Sequence, residues 1–198
     1  DATGPRGSAW RAFRLALCLA FGGSIASAPV FAADPSTATS LEHQVKIAFL
    51  YNFAKFVEWP AGSFADPGAP LTVGVLGSDT FSLEIERGME GRSVESHPIV
   101  VRRLAGIDEA KTVQILFIGS AAGPVMERTL ATLRAAPVLT VGDMPRFAAR
   151  GGIINFILED NKVRFEINVD AARRAGLKIS SKLLNVATVL RDTAHAGF

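Results

Sequence analysis

Val113-Gln-Ile-Leu-Phe-Ile-Gly-Ser-Ala-Ala-Gly-Pro124 is the stretch that decides the fold. A short apolar run ends at a glycine, small residues turn the chain, and a proline follows where the first turn of a helix accepts one. The same grammar stands in Leu71-Thr-Val-Gly-Val-Leu-Gly-Ser-Asp79, where Gly-Ser-Asp opens a helix of roughly two to three turns that ends by Gly91. Further strands are expected over 99–104 and 138–141, the latter running into Gly142-Asp143. Short, almost wholly apolar strands separated by helices imply a mostly parallel sheet covered on both faces. The expected class is therefore α/β, a three-layer sandwich.

The rhythm changes toward the C-terminus. Residues 153–158 and 163–168 are two strand-like runs separated by Glu159-Asp160-Asn161-Lys162, which suits a C-terminal β-hairpin. In the second run Val163, Phe165 and Ile167 alternate with Arg164, Glu166 and Asn168, so the latter three are expected on a wet face. Asn168 also suits the cap of a short helix over 170–175, with Gly176 as its stop. Ser180 or Ser181 is expected to cap a last helix running to Arg191, with Leu183, Leu184, Ala187 and Leu190 inward. Ahead of the sheet, a long apolar helix begins near Leu41, where Thr39 and Glu42 have capping-box spacing. Leu41, Val45, Phe49, Asn52/Phe53 and Phe56 share a face that Ile47, Leu50, Ala54 and Val57 widen. A helix so apolar is expected to be buried on most sides. Trp59-Pro60 ends it, and 61–70 reads as a loop.

Residues 1–32 read as a secretory signal. Arg6, Arg11 and Arg14 precede an apolar run from Leu15 to Phe21, and Val30-Phe31-Ala32 places small residues for cleavage after Ala32. The chain has 21 basic and 19 acidic residues. The signal holds three arginines and Asp1, so the rest carries 18 of each and is formally neutral. A neutral domain gives no support to nucleic-acid binding. The single cysteine, Cys18, leaves with the signal, so the mature chain is free of disulfides in a compartment that permits them. The expected organisation is a linker over 33–40, one domain over 41–191, and a flexible tail over 192–198.

Motifs for chemistry are sparse. His43, His97 and His195 are scattered, and without cysteine a dedicated metal site is not expected. Gly119-Ser120-Ala121-Ala122-Gly123 resembles a nucleophile elbow in composition but has its serine one place too early. Asp108-Glu109 and Glu159-Asp160 are adjacent acids in turns and make no catalytic pair by themselves. The chain is therefore read as a non-enzyme without a cofactor. The Gly-rich turns after the strands at 71–76, 113–118 and 138–141 leave a second reading open. There, helix N-termini at the strands' carboxyl ends would receive an anionic small molecule.

Several blocks bear on a family. Lys46-Ile-Ala-Phe-Leu-Tyr-Asn-Phe-Ala-Lys-Phe-Val-Glu-Trp-Pro60, Val73-Gly-Val-Leu-Gly77, Val113-Gln-Ile-Leu-Phe-Ile118, Val138-Leu-Thr-Val-Gly-Asp143, Gly151-Gly-Ile-Ile-Asn-Phe156, Val163-Arg-Phe-Glu-Ile-Asn168 and Ala175-Gly-Leu-Lys-Ile-Ser-Ser-Lys-Leu-Leu184 resemble the YfiR/HmsC-like family across almost the whole mature domain. The resemblance implies a soluble periplasmic regulator. It would restrain a membrane-bound diguanylate cyclase by binding that protein's periplasmic part, and so act on cyclic di-GMP and biofilm formation. A periplasmic small-molecule module reporting to a receptor or signalling partner is the alternative, and a homodimer is compatible with either. Some relatives carry redox-sensitive cysteines, which the mature chain lacks. The matched blocks nominate Arg164, Glu166 and Asn168 as a charged stripe for a partner or ligand, extended by Lys178, Ser180, Ser181 and Lys182. In the first helix, Asn52 and Lys55 either form a buried polar cluster or anchor the helix, and anchoring is favoured. Trp59 is read as packing that closes the helix onto the sheet, with an interface role as the alternative.

Overall fold

The computed structural model describes residues 35–77 and 80–192, and they belong to one compact unit, Asp34–Phe198. The expected signal, Ser78-Asp79, His195 and residues 193–198 lie outside the described residues.

The first helix, α1 (Pro35–Phe56), starts inside the stretch expected as a linker. Pro35 suits a first helical position, because its missing N–H is one that a helix start leaves unpaired anyway. The chain continues through β1 (Val57–Glu58), β2 (Leu71–Leu76), α2 (Thr80–Met89), β3 (Ser93–Val94) and β4 (His97–Arg103). A 3-10 turn over Ile107–Thr112 leads to β5 (Ile115–Ile118), and another over Ser120–Val125 leads to α3 (Met126–Leu133). Then come β6 (Leu139–Gly142), a 3-10 turn at Ala148–Arg150, the hairpin β7 (Ile154–Glu159) and β8 (Lys162–Asn168), α4 (Val169–Arg174), β9 (Lys178–Ile179), α5 (Ser181–Leu184) and β10 (Thr188–Leu190).

Eight strands form one sheet in the order β10-β8-β7-β6-β5-β2-β4-β3. Only β7–β8 and β3–β4 pair antiparallel; the other five pairs are parallel. The wholly buried runs of β2, β5 and β6 are what a sheet covered on both faces requires. One face carries Val73, Val75, Phe117, Val141, Phe156 and Phe165 against α1 and α2. The other carries Leu116 and Ile118 against α3 and Phe147. The α/β class and the flanked, mostly parallel sheet are thus as the sequence implies.

Four local expectations are corrected. The last helix stops after one turn, and residues 188–190 instead extend the sheet in parallel beside β8. Val186, Thr188 and Val189 are β-branched, so their side chains crowd a helix but suit a pleated edge. The hairpin loop is two residues, not four: Asp160 (φ 49°) and Asn161 (φ 57°) both sit in the left-handed region, which these side chains tolerate and a tight hairpin needs. Asn168 is 1 % exposed and does not face water. Finally, α1 is not buried on most sides. Its core face is Ile47, Leu50, Phe53 and Ala54, whereas Leu41 (58 %) and Val45 (42 %) are exposed. The two-residue strand β1, which pairs with β9, has no counterpart in the sequence reading.

Candidate functional site

At the carboxyl ends of β2 and β5 the two turns pack against each other. Gly77 leaves β2 with φ 94°, and a Cβ there would stand 3.0 Å from the Ala122 backbone nitrogen. The turn after β5 therefore sits on the exit of β2. That turn is 3-10, with no side-chain cap at Gly119, so it does not present the α-helix N-terminus on which an anion site would depend. Asp143, after β6, is engaged by a protein cation: Lys46 Nζ donates to its Oδ2 at 2.9 Å and also meets Glu42 Oε1 at 2.7 Å.

Lys46 is a charge drawn into the core, 8 % exposed. Its ammonium lies 5.8 Å from the Phe81 ring centre and 6.0 Å from that of Phe156. Burial acts to lower its pKa, but the two carboxylates outweigh burial and hold it above its ordinary value. The cluster pins α1 across the end of β6, beside Phe156 of β7. Two carboxylates share one ammonium, and Glu42 lies on the rim of the neighbouring groove.

That groove, about 510 Å³, runs between the first half of α1 and the hairpin. Leu41, Val45 and Phe49 recur every four residues and form one wall; Leu158, Asn161, Lys162 and Val163 form the other. The other flank of α1 is already used. His43 packs on Phe81 at 4.6 Å, a Cβ at Gly88 would meet Ile47, and the Tyr51 hydroxyl donates to Ser93 O at 3.2 Å. Residues two positions away are rotated by about 200°, which turns Leu41, Val45 and Phe49 away from α2. Phe49 meets Phe165 of β8 edge-on at 5.1 Å. Leu158, 57 % exposed, faces Val163 across the hairpin. Large apolar side chains left open on both walls are the mark of a surface that something covers.

The nominated residues do not form one site. Arg164 is exposed and paired with Glu159 at 2.7 Å. Glu166 is half-buried and accepts a hydrogen bond from Asn155 Nδ2 at 3.1 Å. Asn168 is a structural hub. Its Oδ1 caps α4 by accepting from the Asp170 and Ala171 amides, and its Nδ2 donates to Ala148 O and to Asp192 Oδ1. Asp192, expected in the tail, is thereby tied down; Arg174 donates to it and its own amide donates to Asp170 Oδ2. The hydrogen bond from Asn168 holds the Asp192 carboxyl below its ordinary range against the opposing effect of burial, and Arg174 and Arg134 add to it. Lys178 is exposed and 3.9 Å from Glu58. Ser180 caps α5 through Lys182 N, and its own amide donates to Phe56 O. Ser181 and Lys182 are exposed in α5.

Lys55 is exposed over the Tyr51 ring at 5.5 Å and Asn52 is half-buried, so they make no buried cluster. Trp59 packs against the core, meets Phe64 edge-on and donates to Gln114 O at 3.2 Å, which closes the end of α1 onto β5. Sequence reasoning missed the groove. Its signal was the apolar pair Leu41 and Val45 one turn apart, outside the face that α1 needs for its core. Among the described residues, no group of three His, Cys, Asp or Glu is placed to hold a metal, and no helix is long and apolar enough to cross a membrane.

Comparison with solved structures returns α/β domains at low identity. A conserved domain protein from Vibrio cholerae O1 biovar El Tor is similar at 10 % identity with TM-score 0.53, over 74 % of this chain. An ABC domain from Streptococcus pneumonia, solved in complex with L-Trp, is similar at 12 % identity with TM-score 0.47, over 60 % of this chain. The chain spans 59 % and 55 % of the lengths of those two structures. No curated protein matches it. The model of the YfiR/HmsC-like family, by contrast, matches residues 43–188, from the third turn of the groove-lining helix to the start of β10. With the sheet, the hairpin and most of the groove inside that span, the chain belongs to the YfiR/HmsC-like family.

Proposed function

We propose that this protein is a periplasmic regulator that restrains a membrane-bound diguanylate cyclase by direct contact, using the groove between α1 and the β7–β8 hairpin. Family membership supports a periplasmic regulatory role in cyclic di-GMP signalling. The observation that carries the contact reading is the groove itself, with Leu41, Val45 and Leu158 exposed together on its walls. An apolar recess with a few polar groups on its rim is the anatomy of a protein interface. The small-molecule alternative is less favoured, since the Ala122 turn packs against Gly77 at the exit of β2 and Lys46 already engages Asp143 after β6.

The test is cellular cyclic di-GMP in a deletion strain. Removal of the gene raises it several-fold, and a copy carrying residues 1–32 restores it where a copy lacking them does not. An unchanged level in the deletion strain overturns the reading.

A further inference from the structure

The hairpin is longer than the sheet that holds it. β6 pairs with β7 only at Ile154 and Asn155, and β10 pairs with β8 only at Glu166, Ile167 and Asn168. Among the described residues, 156–159 and 162–165 therefore have ladder partners only in each other. No other described residue pairs with their outer backbone edges, and such an edge is a template for another strand. The edge of β8 at 162–165 directly continues the line of β10. It also borders the groove, because Leu41, Val45 and Phe49 are turned away from α2 and Phe49 reaches Phe165.

We infer that the groove receives an extended segment of the partner protein, which adds to the open edge of β8 as a further strand. This deepens the function proposed above and rests on it. Side chains of an added strand alternate between faces, so every second one would enter the groove against Val45, Leu41 and Val163. Main-chain bonds along 162–165 would supply affinity and the groove selectivity. The charges specify the segment further. Among the described residues, Lys162 on the hairpin wall forms no ion pair. On the α1 wall, Glu42 shares a single lysine with Asp143. The complementary segment has alternating apolar residues, an acid opposite Lys162 and a base beside Glu42.

The test places the photoreactive residue p-benzoylphenylalanine singly at positions 45, 162 and 164 of the full exported chain, with position 131 on α3 as a control. Cells are irradiated and the adducts mapped by mass spectrometry. The expected result is adducts on one membrane signalling protein, with those from 162 and 164 two residues apart in a single segment. In the copurified complex, amides 162–165 gain at least tenfold protection from hydrogen exchange. Lys162→Glu lowers recovery of the complex about tenfold, and a lysine at the partner's crosslinked acid restores it. Adducts spaced three or four residues apart, indicating a helix, overturn the inference. So does capture of the partner through position 131 with positions 45, 162 and 164 silent, or the absence of any adduct while deletion still raises cyclic di-GMP. Those outcomes leave the regulatory function standing; an unchanged cyclic di-GMP level on deletion removes both.

Discussion

The two ends of the β7–β8 hairpin are made from the same pair of strands and do opposite things. At the base, Ile154 faces Ile167, both fully buried, and Asn168 is bonded on all sides. At the tip, Leu158 faces Val163 with sheet on neither side, and Leu158 is more than half exposed. The alternation of side chains is continuous from end to end, so local pattern is not what separates them. Neighbours separate them: β6 and β10 cover the base and stop short of the tip. Substitutions at the base should therefore report on stability, and those at the tip on binding.

The largest effect on folding is expected where the hairpin meets α1. Phe165 is buried against Phe49 and Phe53, and Phe165→Ala should cost about 3–5 kcal/mol by urea denaturation. A loss below about 1 kcal/mol would mean that the hairpin is not fastened to α1. Asn168→Ala comes next. It removes an N-cap and leaves the Ala148 carbonyl and Asp192 without their donor, a loss of roughly 2–3 kcal/mol. Asn168→Asp keeps the cap acceptor but sets a buried carboxylate against Asp192 and the Ala148 carbonyl, and at neutral pH should cost at least as much.

Acid should loosen the same corner. The Asp192 carboxyl is held below its ordinary value in the folded chain. Its contribution is therefore complete above the unfolded value, near 3.8, and is lost as pH falls through the lower folded value. Asp192→Asn should flatten that part of the stability–pH curve measured by thermal melting. An unchanged acid limb would show that the carboxylate does not fasten β10. At the tip the expected stability effects are smallest. Leu158→Asp and Val45→Asp should shift unfolding by no more than about 0.5 kcal/mol, because neither side chain is packed in the core.

The parallel sheet was legible because β2, β5 and β6 are covered on both faces and read as unbroken apolar runs. The cap at Asn168 and the stop at Gly176 were legible because their chemistry is local. Asn168 is nonetheless buried and not on a wet face. Alternation along 163–168 says which residues share a side, but not that Ala148 and the Asp192 corner cover that side at one end. The final segment was misread for a related reason. Leucine and alanine at helical spacing suggested a helix, and the open edge of β8, which decides for a strand, is a tertiary feature. The groove lay hidden in α1, where the apolar residues outnumber what the core can take up. Periodicity alone does not say which are left over. Leu41 and Val45 are left over because α2 claims the other flank.

The most direct test of the account is cyclic di-GMP in the deletion strain complemented with Leu158→Asp, after periplasmic levels and melting temperature have been matched to wild type. The account predicts a stable, exported protein that leaves cyclic di-GMP as high as in the deletion strain. Full restoration by that variant would contradict it, and would place the regulatory contact away from the groove.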